Sequence, residues 1–600
     1  MKHSVQDVMI NPRPDRRLLS HVPDPDRIRT TTDRRSDDLA EDRPEYARYA
    51  GKRYLAVFPV KVTGRYSGKV SARCIDISQT GMLLRLTDGA IDPRDDDLKL
   101  KFQLLPGTLH EGMEKRVRIH GKCVRRAGAN EVGIEFREPL YQYVRRTKDN
   151  LLLSLASMFL FLVTLFIILL RVQSVTEFRS NVPLYLYSII TAAFLLTRYL
   201  FGALYKPVPV NPDFCPSITI VIPCFNEETW IGRTILSCID QDYPPDKLNI
   251  IIVDDGSTDR SVEKIQETVT QLWRESERFH TKERIQVFLQ KTNQGKREGM
   301  ALGIRNCKTE LVGFVDSDSF LEPDAVRCLV QPFYDPKVAG TTGRTDVVNA
   351  YTNGVTKMQS VRYYISFRIF KAAESYFDSV MCLSGPLSAY RLSVVNEVLD
   401  EWVNQTFLGQ KATFGDDRSL TNFVVKNHRT YYQDTAICST LVPNTHKVFL
   451  KQQMRWKRSW LRESLKAGKF MWRKEPLMSF SFYVGLLIPL VAPIIVLYNV
   501  AYVPIVQHVF PTTFLLGLLA MALLMSFAQL LLKKSSLWIY GLFFCVYYEA
   551  ILLWQMPWAW VTFWVSSWGT RGGSSKKKKD KKDKGNQQGQ SASPEALPSH

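Results

Sequence analysis

Two aspartates stand at alternate positions directly after an apolar run, in the stretch VDSDS at residues 315–319. The preceding ELVGFV has the composition of a buried strand, so Asp316 and Asp318 would emerge together on the loop that follows it. Carboxylates spaced in this way on a loop can turn toward the same hard cation. The stretch therefore predicts a site for Mg²⁺ or Mn²⁺ at Asp316 and Asp318.

Three other stretches of the same region carry polar residues after apolar runs. VIPCFNEE (221–228) and IIVDDGSTD (251–259) each close a strand-like run, and ligands of open α/β sheets bind outside the carboxyl ends of the strands. Asp255 is suited to accept hydrogen bonds from a nucleobase or ribose, although DDGS is equally typical of an acidic turn before a helix. Lys296 and Arg297, in KTNQGKREGM, are suited to a diphosphate.

Two stretches further along could act on a second substrate. In FGDDRSLTN (414–422), Asp417 is the candidate general base that deprotonates an acceptor hydroxyl. In QQMRW, Gln452, Arg455 and Trp456 lie within about one helical turn and can share a face. An indole offers a platform to a sugar ring, and the other two side chains offer hydrogen bonds. Each stretch alone is typical of a surface turn or an amphipathic helix, but the complete ordered set is not.

Elements that would position these residues follow from the hydrophobic pattern. Residues 215–440 alternate short apolar strands with helices, which predicts a cytosolic α/β domain. Residues 46–140 read as short alternating strands and predict a small antiparallel β-barrel. Residues 441–475 are expected to form amphipathic interface helices that carry the QQMRW stretch. The polar segments 1–45 and 574–600, the second rich in lysine, are predicted to be disordered.

Long apolar blocks indicate a membrane protein. Two stretches within 150–205 are long enough to cross a bilayer, and 478–568 holds about four more spans, so we expect an α-helical channel of about six. YVRRTKDN precedes the first span, whereas SVTEFRSN after it has balanced charge, which places the barrel and the α/β domain in the cytosol. Glu549 is a candidate polar group in the channel lining. We predict a multi-pass protein of the inner (cytoplasmic) membrane of a bacterium.

Composition agrees with a membrane-associated protein that handles phosphorylated substrates. The formal net charge is +20, from 79 Lys and Arg against 59 Asp and Glu. Such a balance favours anionic membrane surfaces, phosphorylated substrates or nucleic acid. The ten cysteines show no CxxC and no metal-ligand spacing, which indicates reduced cytosolic thiols rather than a disulfide framework.

The ordered set NE, DDGS, DSD, CLSGPLSAYR, GDDR, QQMRW and SWGTRG (567–572) resembles the processive membrane family 2 glycosyltransferases. The most similar branch holds the hyaluronan synthases, chitin synthases and rhizobial chito-oligosaccharide synthases. The resemblance implies a GT-A domain on a transmembrane channel. It also implies that UDP-sugars are polymerised by inversion into a β-linked extracellular polysaccharide, which the protein secretes through its own channel.

The resemblance gives each motif a role. It implies that Asp417 is the catalytic base and that Asp316 and Asp318 bind Mg²⁺ or Mn²⁺. The implied donor-binding residues are Pro223, Phe225, Glu227, Asp255, Lys296 and Asp316. The implied acceptor- and product-binding residues are Ser384, Gly385, Pro386, Asp416, Gln452, Arg455 and Trp456. Trp568 and Arg571 would gate the donor pocket. Cys382 resembles a family position close to the site, and is equally typical of a small buried apolar residue.

The N-terminal module carries a second resemblance. CIDISQTGMLLRL (74–86) contains D-x-S-x-x-G and, with the later VGIEF, resembles a PilZ domain, the bacterial receptor for cyclic di-GMP. PilZ domains pair this motif with an upstream RxxxR stretch, whereas the arginines here are one residue further apart. We expect cyclic di-GMP, as an allosteric activator, to bind Arg48, Arg53, Asp76, Ser78 and Gly81, because arginine clamps phosphates and stacks on guanine.

Other functions remain open at this stage. One is a cellulose- or alginate-type exopolysaccharide synthase with other subunits, and another is a non-processive transferase that glycosylates a lipid carrier. A third is a catalytically dead cyclic di-GMP receptor, against which both the DSD and GDDR motifs argue. The expected partners are a UDP-sugar donor, the growing polysaccharide, membrane lipid and export subunits, with no nucleic acid polymer.

Overall fold

A computed structural model of the chain describes residues 58–140 and 182–563 with gaps, and three short strands outside them. The gaps are 79, 105–114, 127–129, 139, 240, 276–280, 323, 351, 413, 509, 512–513, 516, 520–521, 524–525 and 527–535. The short strands are Met9–Ile10, Arg53–Leu55 and Glu595–Ala596. The predictions for the first span, the two terminal segments, Arg48, Trp568, Arg571 and the side chain of Arg53 lie outside the described residues.

Residues 59–136 form a closed antiparallel barrel. Its six strands are β1 Pro59–Gly64, β2 Gly68–Ser78, β3 Gly81–Asp88, β4 Leu98–Leu104, β5 Lys115–Arg126 and β6 Glu131–Phe136. They pair in the order β2-β1-β4-β5-β6-β3, and the β2–β3 pairing closes the ring. Arg53–Leu55 adds to β2 outside this ring. The predicted small antiparallel barrel is confirmed.

The barrel has a hydrophobic core of its own. Apolar side chains alternate inward along the strands, as the burial pattern of β1 and β2 shows. All members of this core, among them Val62, Met82, Leu100 and Ile134, come from residues 58–140. Phe58 and Phe136 stack on either side of Phe102, with ring centroids 5.6 and 6.3 Å away. The barrel therefore needs no other part of the chain to complete its core.

Residues 218–440 form one mixed sheet covered by helices. The strands are β7 Ile218–Cys224, β8 Leu248–Asp254, β9 Ile285–Leu289, β10 Leu311–Phe314, β11 Ser319–Leu321, β12 Val338–Val347, β13 Ser388–Arg391 and β14 Arg429–Thr440, with the hairpin β15 Thr406–Phe407 and β16 Gln410–Lys411 apart. The sheet order is β11-β14-β12-β13-β10-β7-β8-β9, and Glu595–Ala596 pairs with β9 at the edge. Strands β10, β7, β8 and β9 run parallel.

The parallel strands explain why their sequences read as continuous apolar runs. All seven residues of β7 are buried, since helices cover both faces of the sheet. Ile220 and Ile222 pack into the core on one face, and Val221 packs into the core on the other. Asp254 at the end of β8 lies in register with Cys224 at the end of β7. The loops that carry the predicted site residues therefore leave the sheet along one edge, and the predicted α/β domain is confirmed.

Helices surround the sheet and continue into the apolar blocks. They are α1 Val182–Leu204, α2 Ile231–Ile239, α3 Ser261–Glu275, α4 Thr281–Arg284, α5 Lys296–Arg305, α6 Ala325–Val330, α7 Gly354–Ile365, α8 Ala372–Tyr376, α9 Leu392–Val403, α10 Asp416–Asn427, α11 His446–Ala467, α12 Pro476–Leu497, α13 Val503–Val506, α14 Ile539–Tyr547 and α15 Gln555–Trp560. Short π-helices at Ser366–Lys371, Tyr498–Tyr502 and Tyr548–Leu552 join consecutive helices, and 3₁₀ turns occur at Pro245–Lys247, Gln331–Tyr334, Met471–Arg473 and Ser536–Trp538.

Two described helices are long and apolar enough to cross a membrane, Leu186–Leu204 and Pro476–Val506. They pack on each other: the Tyr187 hydroxyl donates to the Ile488 carbonyl at 3.2 Å, and a Cβ added to Gly485 would lie 3.1 Å from the Phe194 ring. Their outer faces expose large apolar side chains. The apolar helix Ile539–Leu552 is shorter than a span, so the channel of about six spans stays a prediction.

Candidate active site

Hydrogen bonds from the loop that precedes α5 fix that loop to the turn after β8. Asp254 builds the DDGS turn itself, because its carboxylate accepts from the backbone N–H of Ser257 at 3.0 Å and from the Ser257 hydroxyl at 2.6 Å. Asp255 instead accepts from the N–H of Gln294 at 2.7 Å and of Gly295 at 2.9 Å. Asp255 is 3 % exposed, and burial raises its pKa to about 6 although both N–H groups oppose the rise. The second aspartate thus fixes the start of the helix that carries Lys296.

The loop after β7 is fastened to the same turn. Asn226 adopts a left-handed backbone with φ of 55°, and its side-chain oxygen accepts from the N–H of Thr258 at 2.8 Å. The N–H of Glu227 donates to the Ser261 hydroxyl at 2.7 Å. Of the predicted donor residues here, Pro223 is buried within β7, Phe225 is half-buried at its end, and Glu227 is buried.

Three predicted motifs meet at Asp316. The Lys296 ammonium forms an ion pair with Oδ1 of Asp316. A Cβ added to Gly385 would lie 3.0 Å from Oδ2 of Asp316 and 3.1 Å from Nζ of Lys296. Burial opposes the charge of Lys296, but Asp316 and more distant carboxylates outweigh it and raise the pKa of the ammonium. The motifs predicted for the diphosphate, the metal and the acceptor therefore touch.

Asp318 lies on the same side of the loop as Asp316. Its Oδ1 accepts a hydrogen bond from the Thr440 hydroxyl at 3.5 Å. Burial raises the pKa of the Tyr363 hydroxyl, and the negative charges of Asp318 and Asp316 raise it further. Two carboxylates suit Mg²⁺ or Mn²⁺, which retain waters and bind diphosphate oxygens. No cluster of three or more His, Cys, Asp or Glu ligands occurs in the part of the chain that the structure describes. The donor set therefore fits a cation that is completed by the substrate.

Asp417 occupies the first turn of α10. Its Oδ1 accepts from the backbone N–H of Arg418 at 2.9 Å, and its Oδ2 lies 3.7 Å from Sγ of Cys382. The amino end of a helix stabilises a carboxylate. Burial raises the pKa of the Cys382 thiol to about 12, so this thiol stays protonated and can donate to Asp417. The predicted base thus lies directly beside the CLSGPLSAYR loop.

Asp416 and Arg297 have a different environment from the one expected. Nε of Arg297 donates to Oδ1 of Asp416 at 2.8 Å, and the two side chains are 5 % and 4 % exposed. The Arg297 guanidinium also lies over the Trp402 ring, 5.4 Å from its centroid. Their charges satisfy each other inside the domain. Asp416, expected at the acceptor, and Arg297, expected at the diphosphate, are thus bound to each other, and their roles toward the substrates stay predictions. Lys296 is the cation of that loop that faces Asp316.

A buried lysine that sequence reasoning missed binds the loop at residues 382–386, which we call the acceptor loop because it is predicted to contact the acceptor. Nζ of Lys371 donates to the Cys382 carbonyl at 2.7 Å and to the hydroxyl of Ser384. Burial lowers its pKa, and Lys371 is 8 % exposed. Lys371 ends the π-helix Ser366–Lys371, which has no spacing readable in sequence. Lys371 stands three residues after Arg368 in ISFRIFKAA and belongs to none of the predicted motifs.

The QQMRW stretch lies on α11 against α7. The Arg362 guanidinium sits over the Trp456 ring at 5.3 Å, and the Tyr363 ring centroid is 6.5 Å from that of Trp456. Arg362 also donates to Oε1 of Gln453. Arg362 and Tyr363 were missed because they belong to no motif. Gly415 packs against Ser459 of α11, so this helix also reaches the turn before Asp417.

One buried acceptor on this helix is unsatisfied. Oε1 of Gln452 is buried and has no hydrogen-bond partner among the described residues. Buried polar atoms normally have a partner, so this oxygen is able to accept a hydrogen bond from a ligand. Gln452 and Trp456 are one helical turn apart, and both are half-buried, as is Arg455.

Comparisons with known proteins identify the family of the chain. Residues 219–399 match the family model of Glycosyl transferase family 2. The chain is 32% identical over 309 residues to an N-acetylglucosaminyltransferase of Rhizobium meliloti (strain 1021), covering 50% of this chain and 70% of that protein. The chain belongs to glycosyltransferase family 2. It is a family 2 glycosyltransferase with an N-terminal PilZ domain, since residues 43–149 match the PilZ model, and the predicted resemblance is confirmed.

Two further comparisons give the extent of the likeness. The chain is 36% identical over 283 residues to a hyaluronan synthase of Streptococcus pyogenes serotype M3, which covers 47% of this chain and 65% of the synthase. Among solved structures, a mannosyltransferase of Pyrobaculum calidifontis in complex with GDP-Man and Mn²⁺ superposes with a TM-score of 0.43, at 18% identity, over 61% of this chain and 99% of its own. That superposition is too loose to support conclusions about ligands.

In the PilZ domain, the motif serine builds a turn. The Ser78 hydroxyl accepts from the N–H of Thr80 at 3.3 Å and of Gly81 at 3.1 Å, and donates to the Gly81 carbonyl at 3.2 Å. Asp76 and Ser78 are each 3 % exposed. A Cβ on Gly81 would collide with the Ile134 carbonyl, so only glycine fits there. These three predicted nucleotide ligands thus also shape the start of β3.

Proposed function

We propose that this enzyme polymerises UDP-sugars processively, with inversion, into a β-linked polysaccharide and secretes the product through its transmembrane region. The observation that carries the proposal is the approach of Gly385 to both Asp316 and Lys296. It brings the acceptor loop within van der Waals distance of the donor side. A reacting hydroxyl and a sugar diphosphate can then meet between Asp417 and Asp316.

In the proposed step, an acceptor hydroxyl attacks the anomeric carbon of the donor sugar while Asp417 takes the hydroxyl proton. A bond from the acceptor oxygen to the anomeric carbon forms, and the bond from that carbon to the diphosphate breaks, so UDP leaves on the opposite face. Lys296 contributes positive charge beside the departing diphosphate. Mg²⁺ or Mn²⁺ held by Asp316 and Asp318 would neutralise the rest of that charge. Donor binding by Asp255, Phe225 and Glu227 is part of the proposal.

Retention of the product would follow from α11. Trp456 offers a face to a sugar ring, and Gln452 offers an unsatisfied acceptor to a sugar hydroxyl. The helix ends nine residues before Pro476, where the candidate span Pro476–Val506 begins. This order in the chain supports a path from the product site to the membrane. We further propose that cyclic di-GMP raises the activity by binding the PilZ domain through Arg48, Arg53, Asp76 and Ser78.

The experiment that tests the proposal supplies purified full-length protein with each UDP-sugar, singly and in pairs, and Mg²⁺ or Mn²⁺. We expect long polymer to accumulate while most acceptor ends remain unextended, and EDTA to stop the reaction. Linkage-specific hydrolases then identify the sugars and the β-linkage. Products that grow evenly by one sugar at a time would contradict processivity, and transfer of a single sugar to a lipid carrier would replace the proposal.

A further inference from the structure

The outward side of four neighbouring barrel strands carries six cationic side chains. We define the basic face as the exposed side chains of Lys61, Lys69, Arg73, Lys99, Lys101 and Arg118. They project outward from β1, β2, β4 and β5, where every second residue is buried in the core. No Asp or Glu occurs in the strand segments 59–64, 68–74, 98–104 and 115–120. Cations therefore predominate on four neighbouring strands, and the exposed Asp97 just before β4 is paired with His120 and Arg137.

The strand register places like charges directly opposite each other. Lys61 on β1 is paired with Lys101 on β4, and Lys101 is paired with Arg118 on β5. Like charges at opposed positions destabilise a sheet, so this row lowers the stability of the barrel. A cost of this kind is expected where the charges meet an anionic partner.

Two cations elsewhere on the barrel lie beside carboxylates. Arg85 binds Glu131 at 2.8 Å, and Lys122 lies 3.5 Å from Glu135. Within the described residues, by contrast, Lys61, Lys69, Lys99 and Lys101 form no ion pair. The contrast distinguishes the basic face from a barrel that is simply cationic all over.

The chain restricts which anionic partner is within reach. Residues 137–150 connect the last barrel strand to the first predicted span, and fully extended they cover at most about 50 Å. The barrel is therefore tethered close to the membrane surface. No Phe, Tyr or Trp projects from the described outward positions of these strands, so the face lacks the rings on which nucleic acid bases stack.

We propose that the basic face docks on anionic phospholipid headgroups of the membrane to which the chain is tethered. Six cations spread over a sheet surface match a layer of negative headgroups, and each contributes about a fivefold gain in affinity near such a surface. The docking is separate from nucleotide binding, since Asp76 and Ser78 lie at the other end of β2 from Lys69. It is also independent of the proposed polymerisation, because none of these residues belongs to the glycosyltransferase domain.

Lysine footprinting tests the proposal on the full chain. The protein is placed in nanodiscs of phosphatidylcholine alone or of phosphatidylcholine with about one third phosphatidylglycerol, and acetylation rates are read by mass spectrometry. We expect acetylation of Lys61 and Lys101 to slow about fivefold or more in the anionic discs and to recover in about 0.5 M salt, where the Debye length shrinks. Lys122 should react equally in both. Equal rates at Lys61 in both discs, or equal slowing at Lys122, would overturn the proposal.

A pair of double variants gives a second readout. Since the barrel has its own complete core, residues 1–145 can be tested alone for co-sedimentation with vesicles of the same two compositions. Lys61→Gln with Lys101→Gln should weaken binding to anionic vesicles about 25-fold, whereas Arg85→Gln with Lys122→Gln removes the same charge and should leave it nearly unchanged. Equal losses in both double variants would contradict a specific face. Protection of Lys61 by an added RNA oligonucleotide that exceeds protection by anionic lipid would reassign the face to nucleic acid.

Discussion

The candidate active site lies in a crevice where the loops after β7, β8 and β10 meet, and there charged side chains from different motifs are bonded to one another. On the barrel, by contrast, Lys61, Lys69, Lys99 and Lys101 of the basic face have no ion-pair partner among the described residues. Lys296 meets Asp316, and Arg297 meets Asp416, so motifs far apart in sequence fix each other's positions. Conversely, Ser78 of the PilZ motif bonds only within its own turn. Charge pairs between motifs hold the candidate site together, whereas the lysines of the basic face are available to the proposed lipid partner.

The largest effect is expected where the crevice does chemistry. Asp417→Asn should reduce polymerisation by roughly 10²–10⁴, because it removes proton abstraction and little else. UDP affinity, measured by calorimetry, should stay close to that of the unchanged protein. Asp400→Asn is the matched control, since that carboxylate is 92% exposed and its ion pair is with Arg305, at 3.7 Å. Polymer made at the original rate by the Asp417 variant would remove this residue from the role of base.

A smaller effect is expected at the product platform. Trp456→Ala should leave UDP binding intact and shorten the polymer roughly fivefold, because loss of a stacking surface worth about 1 kcal/mol speeds product release. Trp472→Ala serves as the control, since Trp472 is 62% exposed and lies outside the site. Product length on gels decides between them. Full-length chains from the Trp456 variant would mean that α11 holds the crevice together without gripping the product.

Sequence reasoning predicted the barrel, the α/β domain and the order of the site motifs, because these depend on local periodicity and on loops that leave parallel strands at one edge. It did not distinguish residues that face the substrate from residues that hold the loops. Asp416 and Arg297 carry charges of the expected type, and only the packing of α10 and α5 against α9 brings them together in the interior. Lys371 was missed because it belongs to no motif and because a six-residue π-helix is too short to show its period in the sequence. The spans beyond the two described helices stay predictions.

The pH dependence of donor binding tests whether Asp255 holds the loop before Lys296 in place. The pKa of Asp255 is about 6, so its carboxylate is charged above that pH and neutral below it. A neutral carboxyl accepts less well from the N–H groups of Gln294 and Gly295, so the loop before Lys296 loosens as the pH falls. UDP-sugar affinity of the Asp417→Asn variant should be constant above pH 7 and fall about tenfold by pH 5. With Asp255→Asn added, the inflection should vanish. An inflection that persists would place the titrating group elsewhere.

The smallest effect is expected in the barrel. Ser78→Ala should lower the free energy of unfolding of the isolated barrel by about 1 kcal/mol, because two backbone N–H groups lose their acceptor. Donor affinity of the full chain should not change. Ser71→Ala, on the exposed side of the same strand, should change neither quantity. Denaturant unfolding followed by circular dichroism measures the first effect. A loss of donor affinity in the Ser78 variant would contradict the independence of the barrel from the active-site crevice.

The central claim, that one chain both makes and exports a polymer, is tested most directly in proteoliposomes with the catalytic domain facing outward. Labelled UDP-sugar and Mn²⁺ are added outside, and a hydrolase specific for the product is added outside after synthesis. We predict that polymer made by the unchanged protein is largely protected inside the vesicles and becomes digestible only after detergent is added. The Asp417→Asn variant should give no polymer in either compartment. Polymer that is fully digested without detergent would show that synthesis is not coupled to transport across the membrane and would contradict the claim.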